Sequence, residues 1–177
     1  KTLVYADEAY LEFLEPSQQK SMVPLVQNNP NVIVSKTFSK IYGLAGLRIG
    51  YVVGHPDTLK KIAQYGDTIS PSQTAIAAAK ASLGDEDFMK LTREKNAVAR
   101  KVLTDYLDQK KISYGKPVTN VLLFPAPKDG KTILTQLEER GYLIRVWDYQ
   151  QKEWCRVSIG TQEEMKGFVK VFDEVVA

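Results

Sequence analysis

Apolar positions in this 177-residue chain come first as short unbroken runs and later as stripes at helical spacing. The run 3–6 and the run Val32-Ile33-Val34 are each followed by polar residues, which predicts two strands covered on both faces, as in a parallel sheet. Residues 48–53 predict a third strand, and Gly54-His55-Pro56 then turns the chain into a short helix ending near Gly66. His55 reads as a structural residue of that turn. Between the first two strands, Pro16, Pro24 and Pro30 punctuate a loop with polar helical pieces.

Further on, Ser70-Pro71-Ser72-Gln73 predicts a capping box with proline at the first helical position, opening an alanine-rich helix that stops at Gly84. Asp85 can cap a longer helix, along which Phe88, Leu91, Val98, Val102 and Tyr106 mark one apolar face and predict a core-packed stripe. Strands are then expected over 120–124, 142–147 and 154–159, a helix over 132–140, and a last helix behind the capping box Thr161-Gln162-Glu163-Glu164. The order of elements predicts an α/β protein.

Composition changes this picture little. The 44% apolar and 25% charged fractions are those of a globular chain, and no apolar run approaches the roughly 18 residues of a membrane-spanning helix. The 24 basic and 21 acidic residues are interspersed, with a net charge of +3 and no basic stripe, so nothing argues for nucleic acid. The single cysteine, Cys155, excludes an intrachain disulfide and reads as inert packing. With His55 the lone histidine, a Cys-His or Ser-His pair has little to be built from, and metal-ligand spacing is absent. A reducing cytoplasm is the expected compartment. The chain lacks an initiator Met and opens inside an apolar run, so a fragment of a longer protein is expected.

The candidate chemistry follows the second strand. From Ser35 to Tyr51 the chain crowds hydroxyls, two lysines, glycines and an arginine at a strand's carboxyl end, where α/β sheets place their sites. Lys40, in a hydroxyl-lined turn, is a candidate amine for Schiff-base formation. Thr37 and Ser39 could each donate a hydrogen bond to a phosphate, and Arg48 could offer a bidentate fork. Gly43 and Gly46 would let the backbone approach a flat ligand. Amine plus phosphate grip points to pyridoxal phosphate. Asp7, at the end of the first strand, could meet a protonated pyridine nitrogen and keep the ring an electron sink, and Tyr10 could hydrogen-bond the phenolate oxygen.

Ser39-Lys40 followed by Gly43-Leu44-Ala45-Gly46-Leu47-Arg48-Ile49-Gly50 resembles the pyridoxal-phosphate lysine motif of class I/II aminotransferases, most of all the histidinol-phosphate aminotransferases. Asp7-Glu8-Ala9-Tyr10 resembles that family's aspartate and tyrosine. The resemblance covers essentially the whole chain, yet corresponds to roughly the second half of the family's chain. It implies fold type I, with the C-terminal part of a large, mostly parallel-sheet domain over 1–87, and a long connecting helix and small C-terminal α/β domain over 88–177. It also implies catalytic roles for Lys40, Asp7 and Tyr10, cofactor contacts from Thr37, Ser39 and Arg48, and a homodimer. Further cofactor contacts would lie in the missing half, so the isolated chain is expected to be inactive.

Arg145 and Arg156 sit in predicted strands among Leu143, Ile144, Val146, Cys155 and Val157, where an inward arginine needs an anion; the alternative is an outward-facing strand arginine. By the resemblance, Arg156 clamps a substrate carboxylate and Arg145 helps hold the phosphate of histidinol phosphate. The implied reaction is transamination between histidinol phosphate and 2-oxoglutarate, giving imidazole acetol phosphate and glutamate. An aromatic amino-acid aminotransferase and a phosphothreonine decarboxylase are the neighbouring alternatives. Of a different class, Asp129-Gly130-Lys131-Thr132 is similar to the end of a nucleotide-binding P-loop, although Pro125 and Pro127 remove two amides from such a cradle. A catalytically silent fragment is the remaining reading.

Overall fold

In the computed structural model, which describes residues 2–66 and 70–177, the chain divides into two compact units, Lys1–Leu91 and Thr92–Ala177. The first unit contains a three-stranded sheet in the order β1 (Val4–Asp7), β2 (Val32–Thr37), β3 (Gly50–Gly54). β1 and β2 are parallel, with Val4 opposite Val32 and Asp7 opposite Ser35; β3 is antiparallel to β2. The sheet is therefore mixed. Val32, Ile33 and Val34 are all buried, as their unbroken apolar run predicts. The expectation fails for the first run: Leu3, Val4 and Tyr5 stay exposed, because β1 pairs on one side only and no described element covers both its faces.

Between β1 and β2 lie two 3-10 turns, Leu11–Phe13 and Pro16–Gln18, and the short helix α1 (Val23–Val26). α1 is apolar rather than polar, and packs Val26 against Val32 and Val34. β3 begins two residues later than expected, since Arg48 takes a left-handed φ of 50° to close the 3-10 turn Ala45–Leu47. Gly50 is demanded by the sheet: a Cβ there would lie 2.7 Å from the Lys36 carbonyl oxygen.

His55 caps α2 (Pro56–Ala63), its Nδ1 accepting the Asp57 amide at 3.3 Å. α3 (Gln73–Ser82) is capped by Ser72, whose hydroxyl accepts the Ala75 amide at 3.1 Å. Pro71 thus precedes the cap instead of opening the helix, and Gln73, as the first helical residue, cannot close a capping box from the third. Asp85 caps α4 (Glu86–Gln109), as expected, through the Phe88 amide at 2.9 Å. The predicted apolar stripe holds only toward its C-terminal end, where Tyr106 is buried and Val102 packs against the core. Phe88, Leu91 and Val98 are 42%, 46% and 51% exposed, and the residues α4 buries are Ala99, Leu103, Tyr106 and Leu107.

The second unit is built from β4 (Val121–Pro125), α5 (Gly130–Glu138), β5 (Arg145–Tyr149), β6 (Lys152–Ser158) and α6 (Gln162–Val176), with the C-terminal part of α4. Its sheet runs β4-β6-β5 and is wholly antiparallel. Period-two alternation puts Leu122, Phe124, Cys155 and Val157 on the face that joins the helices' Leu103, Ile133, Leu137, Phe168 and Phe172 in one core. Phe124 and Tyr106 each meet Phe172 edge-on, at 5.7 and 6.0 Å between ring centroids. The capping box of α6 forms as read, Thr161 and Glu164 each bonding the other's backbone amide. β5 and β6 reach further toward each other than expected: Tyr149 pairs with Lys152, leaving a two-residue turn in which Gln150 and Gln151 both take positive φ, 51° and 61°.

Candidate active site

The parallel pair β1–β2 delivers Asp7 and Ser35 side by side at its carboxyl end, and the chain then leaves β2 through the lysine turn. Phe38 and Ile41 are buried and anchor that turn on both sides of Ser39 and Lys40, which remain half-exposed. Phe38 packs against Tyr42 and Tyr51, with ring centroids 5.0 and 5.8 Å away. Backbone bonds from Gly43 N to Lys40 O at 2.9 Å and from Leu44 N to Phe38 O at 3.0 Å close the turn. Gly43 is the turn's needed glycine, with φ at 70°, whereas a Cβ at Gly46 would point into open space.

Asp7, Ser35, Thr37, Ser39 and Arg48 line one open cleft of about 390 Å³. The Asp7 carboxylate accepts from Ala9 N at 3.1 Å and from the Ser35 hydroxyl at 3.2 Å, and Ser35 Oγ in turn accepts from the Tyr5 hydroxyl at 2.8 Å. This chain of bonds orients the carboxylate. The Thr37 hydroxyl accepts the Ser39 amide at 3.0 Å, and Arg48 donates Nη1 to the Ala45 carbonyl at 3.0 Å. Lys40 and Tyr10 form a separate pair beside Ser39, with Lys40 Nζ 5.2 Å from the Tyr10 ring centroid.

In the second unit Arg145 stands directly opposite Arg156 on adjacent strands, and Trp147 opposite Trp154. The Arg156 guanidinium lies 5.7 Å from the Trp147 ring centroid. Both arginines are on the sheet face that points away from Phe124 and Val157; Arg145 is exposed and Arg156 half-buried. The premise that burial forces an anion on them is therefore corrected. What singles them out is the register, because like charges directly opposite on one face repel until an anion bridges them.

The sequence profile described as aminotransferase class I and II matches residues 1–172. The chain belongs to this aminotransferase family. It is 34% identical over 179 residues to histidinol-phosphate aminotransferase 2 of Ralstonia nicotianae, covering 99% of this chain and 48% of that protein. With histidinol-phosphate aminotransferase of Brevibacillus brevis it shares 32% over 175 residues, 98% of this chain and 48% of the relative. The crystal structure of histidinol-phosphate aminotransferase from Sinorhizobium meliloti, in complex with pyridoxal-5'-phosphate, superposes with a TM-score of 0.86 at 30% identity, over 99% of this chain and 49% of that one. The fold-type-I expectation thus holds, and the chain spans about half the length of the curated relatives it matches.

Within this aminotransferase chain the P-loop reading fails on geometry. The Asp129 carboxylate already accepts the Thr132 amide at 2.8 Å and the Thr132 hydroxyl at 2.7 Å, and Gly130 N donates to Glu153 at 2.7 Å. Two carboxylates sit where a phosphate would, so the segment is a helix cap. Cys155 is wholly buried, and burial together with Glu153 pushes its thiol up to about 12, which fits inert packing. The motif reading passed over Ser35 and Tyr5, which orient Asp7, and over Lys36, Glu8 and Glu12. Lys36 Nζ lies 3.0 Å from Glu8 and 2.7 Å from Glu12. Only the pairing of β1 with β2 brings these groups together, and no residue spacing announces it.

Proposed function

We propose that this chain supplies the lysine-bearing part of a pyridoxal-phosphate aminotransferase, with Lys40 as the amine that anchors the cofactor. The observation that carries this reading is the contrast between the two lysines of the 35–51 stretch: Lys36 is occupied by two carboxylates, whereas Lys40 has no carboxylate partner among the described residues and follows Ser39, which lines the Asp7 cleft. The donor set fits the cofactor. The cleft offers a carboxylate for a protonated ring nitrogen, and two hydroxyls and a guanidinium for a phosphate. Bound there, pyridoxal phosphate supplies an electron sink for the bond that breaks at an amino acid's α-carbon.

Asp7, held by Ser35 and the Ala9 amide, would meet the protonated ring nitrogen. Thr37, Ser39 and Arg48 would hold the phosphate, and Tyr10 would donate a hydrogen bond to the phenolate oxygen. With the cofactor bound, Lys40 Nζ would take the proton from the substrate's α-carbon as general base and return it as general acid. Arg156 and Arg145, paired across β5 and β6, bind the acidic groups of the substrates. Histidinol phosphate with 2-oxoglutarate is the favoured pair, and a homodimer of the full-length protein the favoured assembly. The names of the relatives at 32–34% identity support both the class and the substrate. Turnover with histidinol phosphate, aromatic amino acids and phosphothreonine separates this choice from its neighbours.

The deciding measurement is intact mass after pyridoxal phosphate and borohydride, on this chain and on a full-length protein carrying it, each beside its Lys40→Ala variant. A single Lys40-dependent adduct on the full-length protein is expected. Its absence there would remove the basis for every role assigned above.

A further inference from the structure

Lys36 lies in β2 and Lys40 four residues on, in the turn that follows it, yet one is held by two carboxylates and the other is not. Lys36 joins Glu8 and Glu12 in a nearly dry cluster whose side chains are 14%, 7% and 15% exposed. Glu8 is further tied to the Met22 amide at 2.6 Å and the Ser21 hydroxyl at 2.8 Å. Burial works against its charge, but the bonds from Met22, Lys36 and Ser21 hold its carboxyl below the usual range. Burial likewise opposes the Lys36 ammonium, and the bonds to Glu12 and Glu8 still hold it above its ordinary value. Glu8 and Lys36 are therefore charged around neutral pH, and the three linked side chains form a fixed clamp.

Tyr10 is the middle residue of the segment whose two ends the clamp grips. Glu8 N bonds the Ser35 carbonyl at 3.0 Å, Leu11 N the Glu8 carbonyl at 3.2 Å and Phe13 N the Tyr10 carbonyl at 3.1 Å, so residues 8–13 form one tight turn laid on β2. Buried Phe13 packs near the Tyr10 ring, with centroids 6.3 Å apart. Among the described residues no side-chain hydrogen bond from Tyr10 fixes that ring; its place follows from the turn.

We propose that the Glu8–Lys36–Glu12 clamp is a positioning device for Lys40: by holding both ends of the 8–12 turn on β2, it sets the Tyr10 ring against Lys40 Nζ. β2 thus carries the cation that fixes the 8–12 turn, and the segment that directly follows β2 carries the amine that the turn covers. The inference rests on the reading of Lys40 as the reactive amine, but its test needs no cofactor. The test is competitive labelling of the 177-residue chain with trace acetic anhydride, reading Lys40 against exposed Lys60 and Lys80 by peptide mass.

Tyr10→Ala uncovers the amine and raises Lys40 labelling roughly two- to fivefold, the Boltzmann weight of one exposed cation–π contact. Lys36→Met produces the same rise, the double variant adds nothing to it, and Lys36→Arg, which keeps a cation between two carboxylates, restores the original value. Where Lys36→Met fails to fold by circular dichroism, Glu12→Gln opens one arm of the clamp and carries the same criterion. Unchanged Lys40 labelling in the clamp variants, or a double variant in which the two effects multiply, overturns the proposal. A missing borohydride adduct on the full-length protein, with this labelling pattern intact, would instead sink the cofactor reading and leave the clamp standing.

Discussion

The arginine-bearing unit covers its own apolar surface far better than the lysine-bearing one. In Thr92–Ala177 a single cluster runs from Ala99 to Val175 and takes residues from α4, α5, α6 and two strands, including Leu103, Phe124, Ile133, Leu137 and Phe172 with no exposed surface. In Lys1–Leu91 the corresponding cluster is Val26, Val32 and Val34, while Leu3, Val4, Tyr5, Tyr51, Val52, Phe88 and Leu91 remain exposed. The candidate cofactor cleft lies in the less covered unit. Its geometry is fixed there by a buried ion cluster, side-chain caps and a hydrogen-bonded turn. One unit is held by a single large packed core and the other by smaller apolar contacts, such as buried Phe38 and Ile41, together with polar clamps, so the two should respond to different perturbations.

The largest difference should come from Phe172→Ala, which removes the ring shared by Phe124, Tyr106 and Phe168 and should cost about 3–5 kcal/mol. Both tryptophans, Trp147 and Trp154, lie in that unit, so denaturant unfolding followed by tryptophan fluorescence reads it alone. β2 amides that lose hydrogen-exchange protection in the same variant would break the comparison, since the units would then unfold as one.

Next in size is Lys36→Met, which strands two carboxylates and should cost about 3 kcal/mol in the first unit, read by exchange of the β2 amides. The pH dependence sharpens it. Glu8 is held below its ordinary value of 4.5, so its contribution is complete above that value and is lost as pH falls through the lower folded value. Lys36 is held above 10.5, so its contribution is complete below 10.5 and is lost as pH rises through the higher folded value. β2 protection should therefore hold level between about pH 4.5 and 10.5 and fall on both sides, and in Lys36→Met the alkaline fall due to this site should vanish. Smallest is Ser72→Ala, which leaves the Ala75 amide uncapped and should cost about 1 kcal/mol, seen as faster exchange in the first turn of α3.

How far the sequence carried these conclusions differs by element. The caps at Asp85 and Thr161 were legible because donor and acceptor lie three residues apart in a local pattern. The strand Val32-Ile33-Val34 was legible because burial on both faces leaves no polar position. The Gln150-Gln151 hairpin was not, since two glutamines carry none of the usual turn chemistry and take positive φ only because the paired strands require it. The α4 stripe was right at Val102 and Tyr106 and wrong at Phe88, Leu91 and Val98, because the helix offers apolar residues on more than one face and only tertiary packing selects the one that is buried.

By itself the sequence determined the lysine motif, the family it belongs to, and which residue types could hold a phosphate, a ring nitrogen and an aldehyde carbon. Those properties reside in side-chain chemistry and short spacing. Tertiary structure alone decided that Lys36 is spent on Glu8 and Glu12 while Lys40 is not, that Ser35 orients Asp7, and that Arg145 faces Arg156. Each of those facts depends on strand register, which joins residues far apart in the chain and is set by the packing of whole elements rather than by any local pattern.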